Sequence, residues 1–278
     1  MLLREETMIE VLMEALSFDF MRQALIAGLL ASIACGVIGS LVVVNRVVFV
    51  AGGISHAAYG GVGLAFFLGL PVLPVTIAFS LGVAAVMAAV TFGRRERADT
   101  VVGVLWAAGM AFGIILMDLT HGYNTDLMSF LFGSILAVPV SDLWIMAGLD
   151  ALLLAVVTLY YRGFMAMSFD PEFAGLRGVP VRMLHLAMLA MIAVSIVMII
   201  RVVGLILVIA LLTIPPSLAE RRCRSLGGMM ATAGCYSALF CLAGLALSYG
   251  FDLTSGASII AVATVWFFVD QCVARRRV

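Results

Sequence analysis

GGISHAAYGGVGLAFFLG, residues Gly52 to Gly69, contains no charged side chain and places one imidazole, His56, among glycines, alanines and large apolar residues. An amphipathic helix of a soluble domain carries a polar face, and this stretch has none. With its flanks it forms an apolar run from 47 to 70. At 1.5 Å per residue that run extends roughly 36 Å, enough to cross a hydrocarbon core of about 30 Å. Its glycines and alanines recur at four-residue spacing, which lets helix backbones approach closely in lipid. Gly52 stands one turn before His56 and Gly60 one turn after it, a pattern that predicts open space beside the imidazole along its own helix.

The rest of the chain reads the same way. Of its 278 residues 64% are hydrophobic and only 12% charged, with a mean hydropathy of +1.20, against about 25% charged in ordinary soluble domains. A soluble globule is excluded, and one all-α, polytopic membrane domain over residues 1–278 accounts for the whole composition. Nine spans are expected, at 23 to 44, 47 to 70, 72 to 92, 101 to 117, 143 to 160, 183 to 200, 202 to 219, 228 to 248 and 257 to 274. All 16 basic residues are arginines. Basic loops resist translocation and collect on the cytoplasmic side. With Arg94, Arg95 and Arg97 set inside, alternation puts thirteen arginines inside and leaves only Arg4, Arg22 and Arg201 outside. This threading predicts an inner-membrane protein with its N-terminus outside and its C-terminus in the cytoplasm.

Residues 1–22 carry Glu5, Glu6, Glu10 and Glu14 where a cleavable signal would need basic residues, so an amphipathic lead-in helix is expected there. The outer loop, 118–142, holds the apolar piece Leu127 to Val138, too short to cross, which predicts a re-entrant or interfacial helix. The five cysteines show no C-x-x-C spacing and read as apolar packing residues. The methionines are scattered through the spans rather than grouped as a thioether relay.

The longest cytoplasmic loop, 167–181, reads MSFDPEFAGLRGVPV. Asp170 suits a helix N-cap, Pro171 its first turn, and Glu172 the positive end of its dipole. Gly178 and Pro180 then stop the helix. A short helix capped in this way between two spans is suited to docking a cytoplasmic partner. The chain cannot itself cradle ATP, because the phosphate-binding loop needs a lysine and the sequence has none. No enzymatic activity is expected, and ATP hydrolysis would have to come from another chain.

An ionisable side chain on a spanning helix is costly and is by default a functional candidate. Two stand out, His56 in the second span and Asp150 in the fifth. Asp118, His121, Asn124 and Asp126 on the outer loop are hard and borderline ligands suited to a divalent cation at a pore mouth. His185 lies at the cytoplasmic end of the sixth span beside Arg182 and reads as interfacial.

Four segments together resemble the permeases of bacterial zinc, manganese and iron ABC importers. They are GGISHAAYGGVGLAFFLG, DLMSFLFGSILAV from Asp126 to Val138, the 167–181 loop, and VGLILVIALLTIPPSLAERR from Val203 to Arg222. The resemblance implies a homodimer around one pathway and two cytoplasmic ATP-binding cassette subunits. These subunits would sit on the coupling helix through Asp170, Pro171, Glu172, Phe173, Gly175, Gly178 and Val179. An extracytoplasmic metal-binding protein would deliver the cargo. It further implies that a divalent metal is transported without any permanently bound cofactor, that membrane lipid surrounds the chain, and that nucleic acid is not a partner. His56 takes the family's histidine position, with Gly52, Gly60 and Pro215 packing the pathway. Many members carry an aspartate one turn before the histidine where this chain has Gly52, so Asp150 is expected to supply a carboxylate from another helix. A proton- or sodium-coupled secondary carrier is the rival reading, but the inverted repeats common in such carriers are not evident. A membrane enzyme would need an H-E-x-x-H or nucleophile motif, and neither occurs.

Overall fold

Long apolar runs in lipid must satisfy their backbone polar groups internally, and helices do this within one segment. The computed structural model accordingly consists of helices, and it describes residues 18–92, 95–120, 135 and 138–275, leaving out the side chains of 95–98, 201–203, 206–207 and 274–275. In chain order the helices are α1 (Asp19–Val44), α2 (Val48–Leu68), α3 (Val72–Thr91), α4 (Arg95–Asp118), α5 (Val140–Leu159), α6 (Tyr161–Phe169), α7 (Pro171–Leu176), α8 (Val181–Val203), α9 (Leu205–Glu220), α10 (Leu226–Phe251) and α11 (Ser255–Arg275). Among the described residues eight of these are long and apolar enough to cross a membrane. The remaining expected span, the seventh at 202 to 219, is α9, whose 16 residues extend only about 24 Å.

Two boundaries shift by four residues or more from the sequence reading. The first span begins earlier, at Asp19, so residues 19–22 of the expected lead-in belong to α1, and residues 1–17 lie outside the described residues. The arginine loop near residue 95 is shorter than expected, because α4 already begins at Arg95. The single residue Gly204, at φ +88, separates α8 from α9. This backbone region is open to glycine without the steric cost other residues meet.

Helix α1 is the hub, packing against α5, α8, α9 and α10. Small residues bring the backbones together. A Cβ added to Gly36 would lie 2.6 Å from the amide nitrogen of Gly234 on α10, and one added to Gly39 would lie 2.7 Å from the Leu212 carbonyl on α9. Helices α2 and α4 form a second tight pair with parallel direction: Gly53 meets Val102, Ala57 meets Gly109, and Gly63 meets Gly113. Two parallel helices with α3 returning between them are what alternate crossing requires.

Helix α9 runs through Pro215 and Pro216. Each proline removes an amide donor. Thr213 donates its hydroxyl to the Ile209 carbonyl at 2.7 Å, and Ser217 donates to the Thr213 carbonyl at 2.6 Å. These side chains add hydrogen bonds where the ladder is thinned, the usual way prolines are tolerated in membrane helices.

Side-chain bonds tie one end of the bundle together. Asn45, just after α1, donates to Ser168 Oγ of α6 at 2.9 Å. The Gly227 amide of α10 donates to the Tyr161 hydroxyl at 2.9 Å. Thr91, at the end of α3, pairs with His185 of α8 at 3.2 Å. Arg221 and Arg222, beyond α9, both reach Asp270 near the end of α11. The ends of α1, α3, α9 and α11 and the starts of α8 and α10 therefore share one face, which also carries α6, α7, Arg46, Arg177, Arg182 and Arg224. The expected gathering of arginines is thus met for the described residues.

A Cβ on Gly63 would lie 2.3 Å from the Gly113 carbonyl oxygen, whereas nothing lies within 4 Å of one on the exposed Gly82. Gly63→Val is expected to destabilise the detergent-solubilised protein by about 1–3 kcal/mol through overpacking. Gly82→Ala should leave its melting temperature unchanged or slightly raised, and thermal unfolding followed by size-exclusion chromatography checks both.

Candidate functional site

His56 sits near the middle of α2, whose neighbours are α3, α4, α8 and α9. Its imidazole is half-buried and stacks face to face on the indole of Trp106 on α4, with ring centroids 4.0 Å apart and an interplanar angle of 9°. Phe49 tilts against the same indole at 6.3 Å. The imidazole Nδ1 is buried and has no hydrogen-bond partner among the described residues. In the tautomer with its proton on Nε2, that nitrogen carries an unused lone pair, so a cation reaching it would meet a ligand atom with no competing bond.

The space expected beside the imidazole is largely filled. A Cβ on Gly60 would meet Phe79 of α3 at 2.8 Å and the Gly109 carbonyl of α4 at 2.9 Å, so this glycine serves helix approach instead of leaving room. At Gly52, one turn before the histidine, the Ile209 side chain of α9 comes within 3.2 Å of an added Cβ. Where the expected family pattern has a carboxylate, this chain has an apolar contact. Pro215 is buried in α9, the helix that supplies Ile209.

Asp150 lies in the middle of α5, on the buried stripe Leu143, Met146, Asp150, Leu153 and Val157. The main partner of α5 is α1. Asp150 is 3% exposed, and neither of its carboxylate oxygens has a hydrogen-bond partner among the described residues. His56 and Asp150 thus occupy different packing interfaces of the chain. No three histidine, cysteine, aspartate or glutamate residues among the described residues are grouped to hold a metal. Sparse ligands suit a transported ion, since a closed cage would retain it.

At the end opposite the arginine-rich face, Asp118 terminates α4 and is exposed. His121, Asn124 and Asp126 lie outside the described residues, as does most of Leu127 to Val138. Of that piece, Ile135 and Val138 are buried, and Ile135 Cδ1 is 3.6 Å from a Cβ built on Gly28 of α1.

At the arginine-rich end, α7 has both termini closed. The Asp170 carboxylate accepts from the amides of Glu172 at 3.1 Å and Phe173 at 3.0 Å, with Pro171 in the first turn. Gly178, at φ +81, ends the helix. Its amide donates to the Gly175 carbonyl, and that of Val179 to the Ala174 carbonyl, both at 3.0 Å. That pair of bonds is the Schellman closure. Ala174 is buried beneath, while Phe169, Phe173 and Leu176 are 80%, 54% and 88% exposed. Arg177 holds its guanidinium 5.0 Å from the Phe173 ring centroid. A rigid six-residue helix thus presents apolar side chains to whatever covers that face.

The sequence reading did not single out Trp106, because an aromatic residue in an apolar span looks like packing. Only the register of α4 against α2 sets it on His56.

The model of the ABC 3 transport family matches residues 17–274. The chain belongs to that family. It is 48% identical over 272 residues, 98% of this chain and 97% of the relative, to an uncharacterized membrane protein of Synechocystis. It is 32% identical to the manganese transport system membrane protein MntC of Halalkalibacterium halodurans, over 91% of this chain and 87% of that one. Among solved structures it resembles PsaBC from Streptococcus pneumoniae in complex with Fab, with a TM-score of 0.85, 30% identity and 95% of each chain covered. This ABC 3 member is a multi-pass permease of the bacterial membrane for a metal-transporting ABC system. It is a transport subunit, with ATP hydrolysis belonging to a separate chain.

Because His56 and Asp150 sit in different interfaces, substitutions at the two should act independently. In a double-mutant cycle with His56→Gln and Asp150→Asn, the effects on metal-uptake rate are expected to multiply, with a coupling energy below about 0.5 kcal/mol. A larger coupling would place both residues at one ion.

Proposed function

We infer that two copies of this permease form the pathway of an ATP-driven importer for a divalent transition metal, with manganese the first choice of cargo. Its termini would lie outside for the N-terminus and in the cytoplasm for the C-terminus. The observation that carries this reading is α7. A helix closed at both ends, with Phe173 and Leu176 exposed and Phe169 exposed at the end of α6 before it, stands on the face that also carries Arg46, Arg177, Arg182, Arg221, Arg222 and Arg224. Basic residues favour the cytoplasmic side, which is where an ATP-binding cassette subunit would be met. An apolar surface on a fixed backbone can transmit displacement to α6, α5 and α8, which flank it in the chain. The names of MntC and of the manganese import system permease ScaB of Streptococcus gordonii, 29% identical over 94% of this chain, favour manganese as the cargo.

His56 is the side chain we assign to the ion. An imidazole nitrogen suits manganese, zinc and ferrous iron alike, so the identity of the metal would be selected in part by an extracytoplasmic binding protein that hands it over. Asp150 is proposed as a second pathway carboxylate on the α1 and α5 interface, separate from His56. Asp118, His121 and Asp126 are proposed as outer-mouth ligands that meet the ion first. The ion is cargo, and no permanently held cofactor is needed.

Uptake of manganese into proteoliposomes containing the permease, its ATPase and its binding protein tests the reading. ATP-dependent uptake is expected, reduced at least tenfold in His56→Ala. Leu176→Asp is expected to abolish co-purification of the ATPase while leaving the permease monodisperse. Equal uptake by the permease alone, driven by a proton or sodium gradient, would replace this reading with a secondary carrier.

A further inference from the structure

The contacts between α2 and α4 leave little freedom at their interface. Val102 fills the space over Gly53, with its Cγ1 2.4 Å from an added Cβ. Gly109 faces Ala57, whose Cα would be 2.6 Å from a Cβ there. Gly113 faces the Tyr59 carbonyl, also at 2.6 Å. These contacts bracket one position on each helix, Trp106 on α4 and His56 on α2. The indole therefore cannot slide along α2, and it lies flat on the imidazole at 9°.

We propose that Trp106 is a positioning and specificity-determining residue for the transported ion, holding the His56 imidazole in the orientation that offers its nitrogen to the pathway. The proposal rests on the reading that His56 touches the cargo. A histidine ring without a partner at Nδ1 has no hydrogen bond there to choose its rotamer. In metal sites that choice is usually made by a bond to the second ring nitrogen, and here the stack does it. Phe49, tilted at 6.3 Å, backs the indole in turn. The arrangement fixes the plane of the imidazole without giving it a hydrogen-bonded carboxylate, so the ring stays a weak ligand, which suits an ion that must leave again. The aromatic wall also excludes additional water from one side of the ring, which favours ions that accept nitrogen ligation and partial dehydration over strongly hydrated magnesium.

Stacked aromatic pairs contribute a modest energy beyond their buried area, so an effect of a few fold is expected rather than a complete loss. In proteoliposomes with its ATPase and binding protein, Trp106→Leu should raise KM for manganese uptake roughly three- to tenfold with kcat changed less than twofold. Trp106→Phe, which retains a stacking ring, should remain within twofold of the parent. Inhibition of manganese uptake by magnesium should strengthen in Trp106→Leu and not in Trp106→Phe.

A second measurement does not need the Trp106 substitutions. The chain has 3 tryptophans, and Trp144 and Trp266 are 76% and 44% exposed. With both changed to phenylalanine, the remaining indole should be quenched saturably by paramagnetic manganese, and His56→Ala should remove that quenching. Wild-type KM in Trp106→Leu, or equal loss in the Leu and Phe variants, would reduce Trp106 to packing while leaving the His56 reading intact. If His56→Ala neither alters uptake nor removes quenching, both ideas fall. Should Trp106→Leu fail to assemble, absence of saturable quenching in the single-tryptophan protein overturns the proposal by itself.

Discussion

Backbone-to-backbone contact through residues without side chains is the constraint on which this molecule depends. Lipid tails are as apolar as the helices, so burial alone does little to hold two spans together; close packing must do it. The α2 and α4 pair shows the consequence. Gly53, Gly60, Gly63, Gly109 and Gly113 bring the two helices near enough for carbonyls to touch neighbouring α-carbons. At that separation the register cannot shift by a residue without collision, and the register is what sets Trp106 against His56. Helix α1 uses the same device at Gly36 and Gly39 to reach α10 and α9. The functional side chains are therefore positioned by residues that have no side chain.

A different chemistry holds the arginine-rich face. There the helix ends meet water, and side-chain hydrogen bonds and ion pairs replace close packing. Asn45 with Ser168, Tyr161 with Gly227, and the two arginines on Asp270 join segments far apart in the chain. The ion pairs, whose arginines are partly exposed, contribute little stability each. The Asn45 and Gly227 bonds join the end of α1 and the start of α10 to α6, next to α7, and the Asp270 pairs join the end of α9 to α11. A displacement of α7 would reach α1 through α6 and Ser168, and α1 is the helix on which most of the bundle packs.

Much of this was legible in the residues. Eight spans, the isolated histidine and the gathering of arginines follow from hydropathy and charge, because the bilayer penalises a charged or unsatisfied group wherever it lies. The α7 helix was readable to the residue: Asp170, Pro171 and Gly178 act within a few positions of themselves, so their roles do not depend on anything distant. The meaning of Gly60 was misread. Its spacing from His56 suggested room, yet the missing side chain is used by Phe79 and α4, because a helix wheel shows which residues share a face but not what that face meets. The seventh expected span begins later than the residues suggested, at Leu205, since Gly204 at φ +88 stands between α8 and α9.

Hydropathy, charge placement and local capping are properties of a segment in its solvent, and the sequence by itself determined them: an all-helical membrane permease with a capped helix on its basic face. The tertiary structure decided which residues meet across helices. That His56 stacks on Trp106, that Ile209 stands beside Gly52, and that Asp150 faces α1 depend on the register and rotation of each helix. Those are set by the sum of many small contacts between segments distant in the chain, and no local pattern encodes that sum.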